Sequence, residues 1–130
     1  MAALRDLVSN LAVRESIRPA VATGSVTGEI VDTRGFDSAA AVLAVGAVAG
    51  SGNQTPKLQH SHTTTGGDFE DVAAAELSGS FPAALVENSV VKVGYAGGRR
   101  YLRLVVTHNS GTSVARSGVI VLGNPDQRPA

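Results

Sequence analysis

The chain of 130 residues contains no cysteine and no tryptophan, and only 4% of it is aromatic. Without cysteine there is neither a disulfide framework nor a thiolate metal site. Scarce rings favour thin, closely packed sheets over a pocket walled by aromatics. The formal net charge is zero, so no bulk attraction to nucleic acid or to an anionic membrane is expected. No apolar run reaches the roughly 18 residues that span a bilayer. The longest, AAAVLAVGAVAG at 39–50, is short and interrupted by glycine. Arg5, Asp6, Arg14 and Glu15 break any apolar leader, so a cytoplasmic location at synthesis is expected.

Charge of one sign is missing from long segments. Residues 58–91 hold no Lys or Arg but carry Asp68, Glu70, Asp71, Glu76 and Glu87. Residues 88–125 hold no Asp or Glu but carry Lys92, Arg99, Arg100, Arg103 and Arg116. Two readings are open. Neighbouring strands of one subunit neutralise each other, or the acidic segment of one subunit meets the basic segment of the next.

What is present is β signal. From Ser25 onward, short runs rich in Val, Ala and Thr are separated by turn residues, the pattern of an all-β sandwich or barrel. The length suits one domain. The expected division is an N-terminal arm at 1–24, a β-sandwich at 25–123 and a polar tail at 124–130. Leu4, Leu7, Val8 and Leu11 are spaced as on one face of a helix; the arm is read as helical, or as extended on a neighbouring subunit. Residues 39–49 read as a strand buried on both faces. Gly97-Gly98, between two strand-like runs, predicts a two-residue hairpin. Val93 then faces Leu102 and Gly94 faces Tyr101. Val91, Val93, Tyr95, Leu102 and Leu104 share a core face, and Lys92, Arg99, Tyr101 and Arg103 share a basic one.

Candidate chemistry is sparse. His60 and His62 would project from one face of a strand, where Asp68 or His108 could complete a metal site; no further ligand stands at a diagnostic spacing, so none is assigned. TTTGGDFED, residues 63–71, lacks the oxygen-ligand spacing of a calcium loop. GAVAGSGN, residues 46–53, lacks the Gly-Lys-Ser/Thr ending of a phosphate loop. Ser51 makes no nucleophile elbow. No catalytic residue, cofactor or metal site is assigned, and the chain is expected not to be an enzyme. Lys92, Arg99, Tyr101 and Arg103 have the types that bind a nucleic-acid strand, but no RNA-binding motif accompanies them.

The succession DTRGF and SAAAVLAVGAVAG, then KLQHSHTTTGGDFEDVA, VKVGYAGGRRYLRLVVT and VIVLGNPDQRP resembles small structural proteins encoded among the head genes of tailed bacteriophages and prophages, in particular capsid cement or decoration proteins. The resemblance spans residues 32–129, about three quarters of the chain. Leu58-Gln59 followed by Phe69-Glu70-Asp71-Val72, and Gly94-Tyr95 followed by Arg100-Tyr101-Leu102-Arg103, are its most specific parts. It implies a jelly-roll-like β-sandwich that forms a homotrimer and binds the major capsid protein on the exterior of the virion, with no active-site residues. The protein-interface residues expected on this reading are Lys92, Arg99, Tyr101 and Arg103 on the basic side, Asp68, Glu70 and Asp71 on the acidic side, and Leu4, Leu7 and Leu11 on the arm. A neck, tail or head-fibre component, or a glycan-binding sandwich using the loops at 51–53, 63–68 and 109–112, is the alternative.

Overall fold

Alternation with a period of two decides the architecture. In the strand Tyr101–Ser110, Leu102, Leu104 and Val106 are fully buried while the residues between them are not, the signature of a sheet with one face on a core. The structure, a computed structural model, describes residues 6–127. Its ten strands are β1 (Leu11–Ala22), β2 (Val26–Thr27), β3 (Val31–Asp32), β4 (Phe36–Ala49), β5 (Asn53–Ser61), β6 (Glu70–Asp71), β7 (Leu77–Ser78), β8 (Val90–Tyr95), β9 (Tyr101–Ser110) and β10 (Ser113–Pro125). They form two antiparallel sheets: sheet A in the order β1-β10-β4-β8-β7, and sheet B in the order β2-β9-β5-β6, with β3 also on β9. The fold is an all-β, jelly-roll-like sandwich, as the sequence predicts. Ile17, Leu43, Val93, Val114, Ile120 and Leu122 from sheet A meet Leu58, Leu102, Leu104 and Val106 from sheet B. Among the described residues no helix is long and apolar enough to cross a membrane.

The arm differs from expectation. A single 3₁₀ turn at Val8–Asn10 leads straight into β1, which pairs with β10 from Leu11↔Gly123 to Ala22↔Val114. Residues 11–22 therefore belong to the sandwich of their own subunit, and β10 carries the sandwich past 123 to Pro125. Helical spacing in a short segment stabilises little; the ladder to β10 and the burial of Ile17 override it. A register shift between Glu15 and Ile17 turns both Ser16 and Ile17 inward. There the Leu104 N–H donates to Ser16 Oγ at 3.0 Å, and the Ser16 hydroxyl donates to the Glu29 carbonyl at 2.9 Å. Leu4 lies outside the described residues. Leu7 is exposed and Leu11 half-buried, so no helical stripe forms.

The glycine hairpin is also corrected. β8 pairs with β4 in sheet A, and β9 pairs with β5 in sheet B. The link through Gly97-Gly98 is an arch from one sheet to the other. The tight turn would need positive φ at one or both glycines, and neither has it. The links from β4 to β5 and from β9 to β10 cross between the sheets in the same way. Nor is β4 buried on both faces. Ala41, Leu43 and Val45 point into the core, whereas Ala40 and Val42 are half-buried and Ala44 is exposed on the outside of sheet A. Phe36 opens β4 and packs against the core.

Candidate interaction surfaces

The arch between β8 and β9 is built around Tyr95. A Cβ on Gly97 would overlap the Tyr95 ring, so glycine is what lets the chain fold back over it. The Arg99 N–H donates to the Tyr95 hydroxyl at 3.0 Å. The hydroxyl also shares a hydrogen bond of 2.7 Å with His60 Nδ1, and His60 Nε2 lies 3.9 Å from the Glu76 carboxylate. The two rings meet edge to face at 5.6 Å. This chain of polar contacts joins β8 of sheet A to β5 of sheet B. His60 is buried, and burial, aided by the nearby Arg99 charge, pulls its pKa below the usual 6.5. Burial pushes the Tyr95 hydroxyl pKa above 10.0. His62 is exposed beyond the end of β5, so the two histidines do not share a face, and among the described residues no three His, Cys, Asp or Glu groups are placed to hold a metal.

The outer face of sheet B carries the charges. β5 and β9 place Gln59 opposite Arg103, and β5 and β6 place Gln59 opposite Asp71. Arg103 Nε donates to Gln59 Oε1 at 2.8 Å, Gln59 Nε2 donates to Asp71 Oδ1 at 2.8 Å, and Lys57 Nζ lies 3.0 Å from the same carboxylate. Hydrogen bonds from Gln59 and Lys57 hold the Asp71 carboxyl below its usual range. The Arg103 guanidinium also lies over the Phe69 ring, 4.2 Å from its centre. Arg99 pairs with Glu70 at 3.1 Å. Arg100 grips Asp32 through two hydrogen bonds of 2.7 Å, which depress the Asp32 pKa. Asp68 accepts a hydrogen bond from the Thr63 hydroxyl at 2.7 Å. Arg99–Glu70 joins the acidic segment to the basic one within the subunit, whereas Asp71 and Arg100 take their partners, Lys57 and Asp32, from outside those segments.

The expected interface residues thus fall on separate surfaces. Arg99, Tyr101, Arg103, Glu70 and Asp71 gather at sheet B and the arch. Lys92, at the register of Val42 on β4, sits on the outer face of sheet A, and no ion pair engages it among the described residues. Leu7 and Leu11 lie near the start of β1. The sequence reading missed a second polar bridge between the sheets. Arg116 Nε donates to Gln54 Oε1 at 2.8 Å, Gln54 Nε2 is 3.1 Å from His108 Nδ1, and an Arg116 terminal nitrogen donates to the Gly24 carbonyl at 3.1 Å. Arg116 is 5% exposed, no ion pair engages it among the described residues, and burial lowers its pKa. Only the packing of sheet B on sheet A brings Gln54 and Arg116 together, so no local signal in the sequence marks them. A shallow cleft of about 250 Å³ opens beside the arch, lined by Thr33, Phe36, Asp37, Tyr95 and Arg100 among others.

No family model and no curated protein matches the chain. Among solved structures, it is similar to the SPBc2 prophage-derived protein YomS, with 15% identity, a TM-score of 0.52, and 86% of this chain and 93% of that one covered. A structure of Bacillus endospore appendages, described as disulfide-linked pili, aligns at 11% identity and a TM-score of 0.47 over 89% of each chain. A Yersinia pseudotuberculosis-derived mitogen aligns at 11% identity and a TM-score of 0.43, over 92% of this chain and 91% of that one. At these identities the likeness is one of fold.

Proposed function

We propose that the chain is a non-enzymatic virion structural protein that binds the major capsid protein and cements a phage head. The observation that carries this reading is the sandwich shared with a prophage-derived protein over 86% of the chain, which agrees with the head-gene resemblance of residues 32–129. The mechanism needs binding energy alone. A protein that binds assembled capsomers and not dissociated ones raises the free energy of dissociation by mass action. Sheets joined by polar bridges at Tyr95–His60 and Arg116–Gln54 supply a stiff body for that task. Self-association belongs to the same reading, because a cement protein spans the gaps between neighbouring subunits.

The test is to locate the chain in particles of the phage or prophage that encodes it, by imaging at near-residue resolution, and to sediment the purified protein with emptied heads. Density on the capsid exterior at a fixed copy number is expected, with heads lacking the chain opening at a lower temperature. Heads that never carry it, or density confined to neck, tail or fibre, would overturn the cement role.

A further inference from the structure

The outer face of sheet A is apolar and lies open. Its four long strands align outward residues in rows. One row runs Val13, Val121, Ala40 and Gly94 across β1, β10, β4 and β8; the next runs Glu15, Val119, Val42 and Lys92. A third continues through Ser117, Ala44 and Val90. Val13 is 54% exposed, Val90 71%, and Val21 beyond the β1 irregularity 71%. Glu15 and Lys92 stand at opposite ends of one row, about three strand spacings or ~14 Å apart, with two valines between them; Glu15 also lies 3.4 Å from Arg18 of its own strand, an exposed pair that is weak in water and leaves the carboxylate open to a second cation.

We propose that two copies of this chain pair face to face through this surface, about a twofold axis running along the strands between β10 and β4. That rotation exchanges the two ends of every row. Glu15 of each copy then faces the partner subunit's Lys92, so one contact supplies two opposite-charge pairs. In the same arrangement Val119 lies over the partner subunit's Val42. Val13, which stands proud at the sheet edge, lies over the partner subunit's Gly94, a position without a side chain of its own, flanked on β7 by the small Ser78. A twofold contact requires this self-complementarity. Sheets with small outward residues can pack at about 10 Å with nearly aligned strands. Four strands at ~4.8 Å spacing, exposed along about 27 Å, offer roughly 500 Å² per copy, or ~1,000 Å² in total, the lower bound for a specific interface. A homotrimer would need two different patches on each subunit, whereas this face closes at two. The inference goes beyond the capsid role and does not require it.

The experiment is solution mass by light scattering and sedimentation over a concentration series, with a thermal melt of every variant. The wild type is expected at twice the 13.2 kDa of the chain. Glu15→Lys or Lys92→Glu alone places like charges together twice, and each should weaken the dimer at least about tenfold. The double variant Glu15→Lys with Lys92→Glu restores both pairs and should restore the dimer. Val42→Glu, on the outward face, should give a folded monomer. A monomeric or trimeric wild type would overturn the proposal, and so would a dimer indifferent to Val42→Glu or to the single charge reversals. Failure of the double variant to recover would show that these charges do not meet.

Discussion

Tyr95 does three things at one place. Its ring fills the space over Gly97, its hydroxyl accepts the Arg99 N–H, and the same hydroxyl shares a hydrogen bond with buried His60. Tyr95→Phe keeps the ring but leaves His60 Nδ1 and the Arg99 N–H without that partner. A loss of about 1–3 kcal/mol in denaturant unfolding is expected, the cost of unsatisfied buried polar groups. His60 adds a pH dependence. Its folded pKa lies below 6.5, so between the folded and unfolded values the unfolded chain binds more protons, and stability rises with pH. The contribution is complete above about 6.5 and is lost as pH falls through that value toward the folded pKa. Unfolding midpoints should drop between pH 7 and pH 5, and His60→Gln should flatten that part of the profile. Asp32 and Asp71 act in a different window: their carboxyls are held below 3.8, so their contribution is present above that value and lost as pH falls below it. A profile flat between pH 7 and pH 5 in the wild type would contradict the assignment to His60.

At the scale of elements, the sheets approach closely where side chains are smallest. Gly118 on β10 faces inward, and a Cβ there would stand 2.8 Å from Leu104 Cδ1 and 3.4 Å from Leu43 Cδ2. Gly118→Ala should therefore destabilise the fold by about 1–3 kcal/mol through overpacking, read as a lower thermal midpoint with unchanged secondary structure. The strands themselves are legible in the sequence. The inward set Val91, Val93, Tyr95, Leu102 and Leu104 is as the alternation predicts, because period two reports which side of a strand meets a core. Which strand lies beside which is not legible. Gly97-Gly98 reads as a hairpin from its neighbours alone, and what makes it an arch is the Tyr95 ring and His60, 35 positions away. The same limit hid the Gln54–Arg116 bridge. Yet the segments that carry the phage-head resemblance turn out to touch: Gln59, Phe69 and Asp71 form one network with Arg103. In these segments the specific residues include those that hold β5, β6 and β9 together.

For the whole molecule, the decisive pairing is between the two ends of the chain. β1 is the first strand and β10 the last, and they are hydrogen-bonded along nearly their full length. Sheet A therefore cannot close until the C-terminal strand exists, and the links β4–β5, β8–β9 and β9–β10 cross between sheets, while β5–β6 and β7–β8 pair within one sheet. Such non-local topology places refolding in the range of about milliseconds to seconds. It also separates two views of the N-terminal segment. A detachable arm could be removed without harm to a sandwich spanning 25–123. An edge strand could not. Deleting residues 1–22 would strip the cover of Ile17 from the core, leave the Leu104 N–H without the Ser16 hydroxyl, and expose the whole β10 edge to pairing with other chains. That deletion should give aggregated protein or a chain without a cooperative thermal transition. Deleting only residues 1–10 keeps every β1–β10 pair and should leave the midpoint within a few degrees of the full chain. A soluble, cooperatively folding product of the longer deletion would return residues 11–22 to the role of an arm.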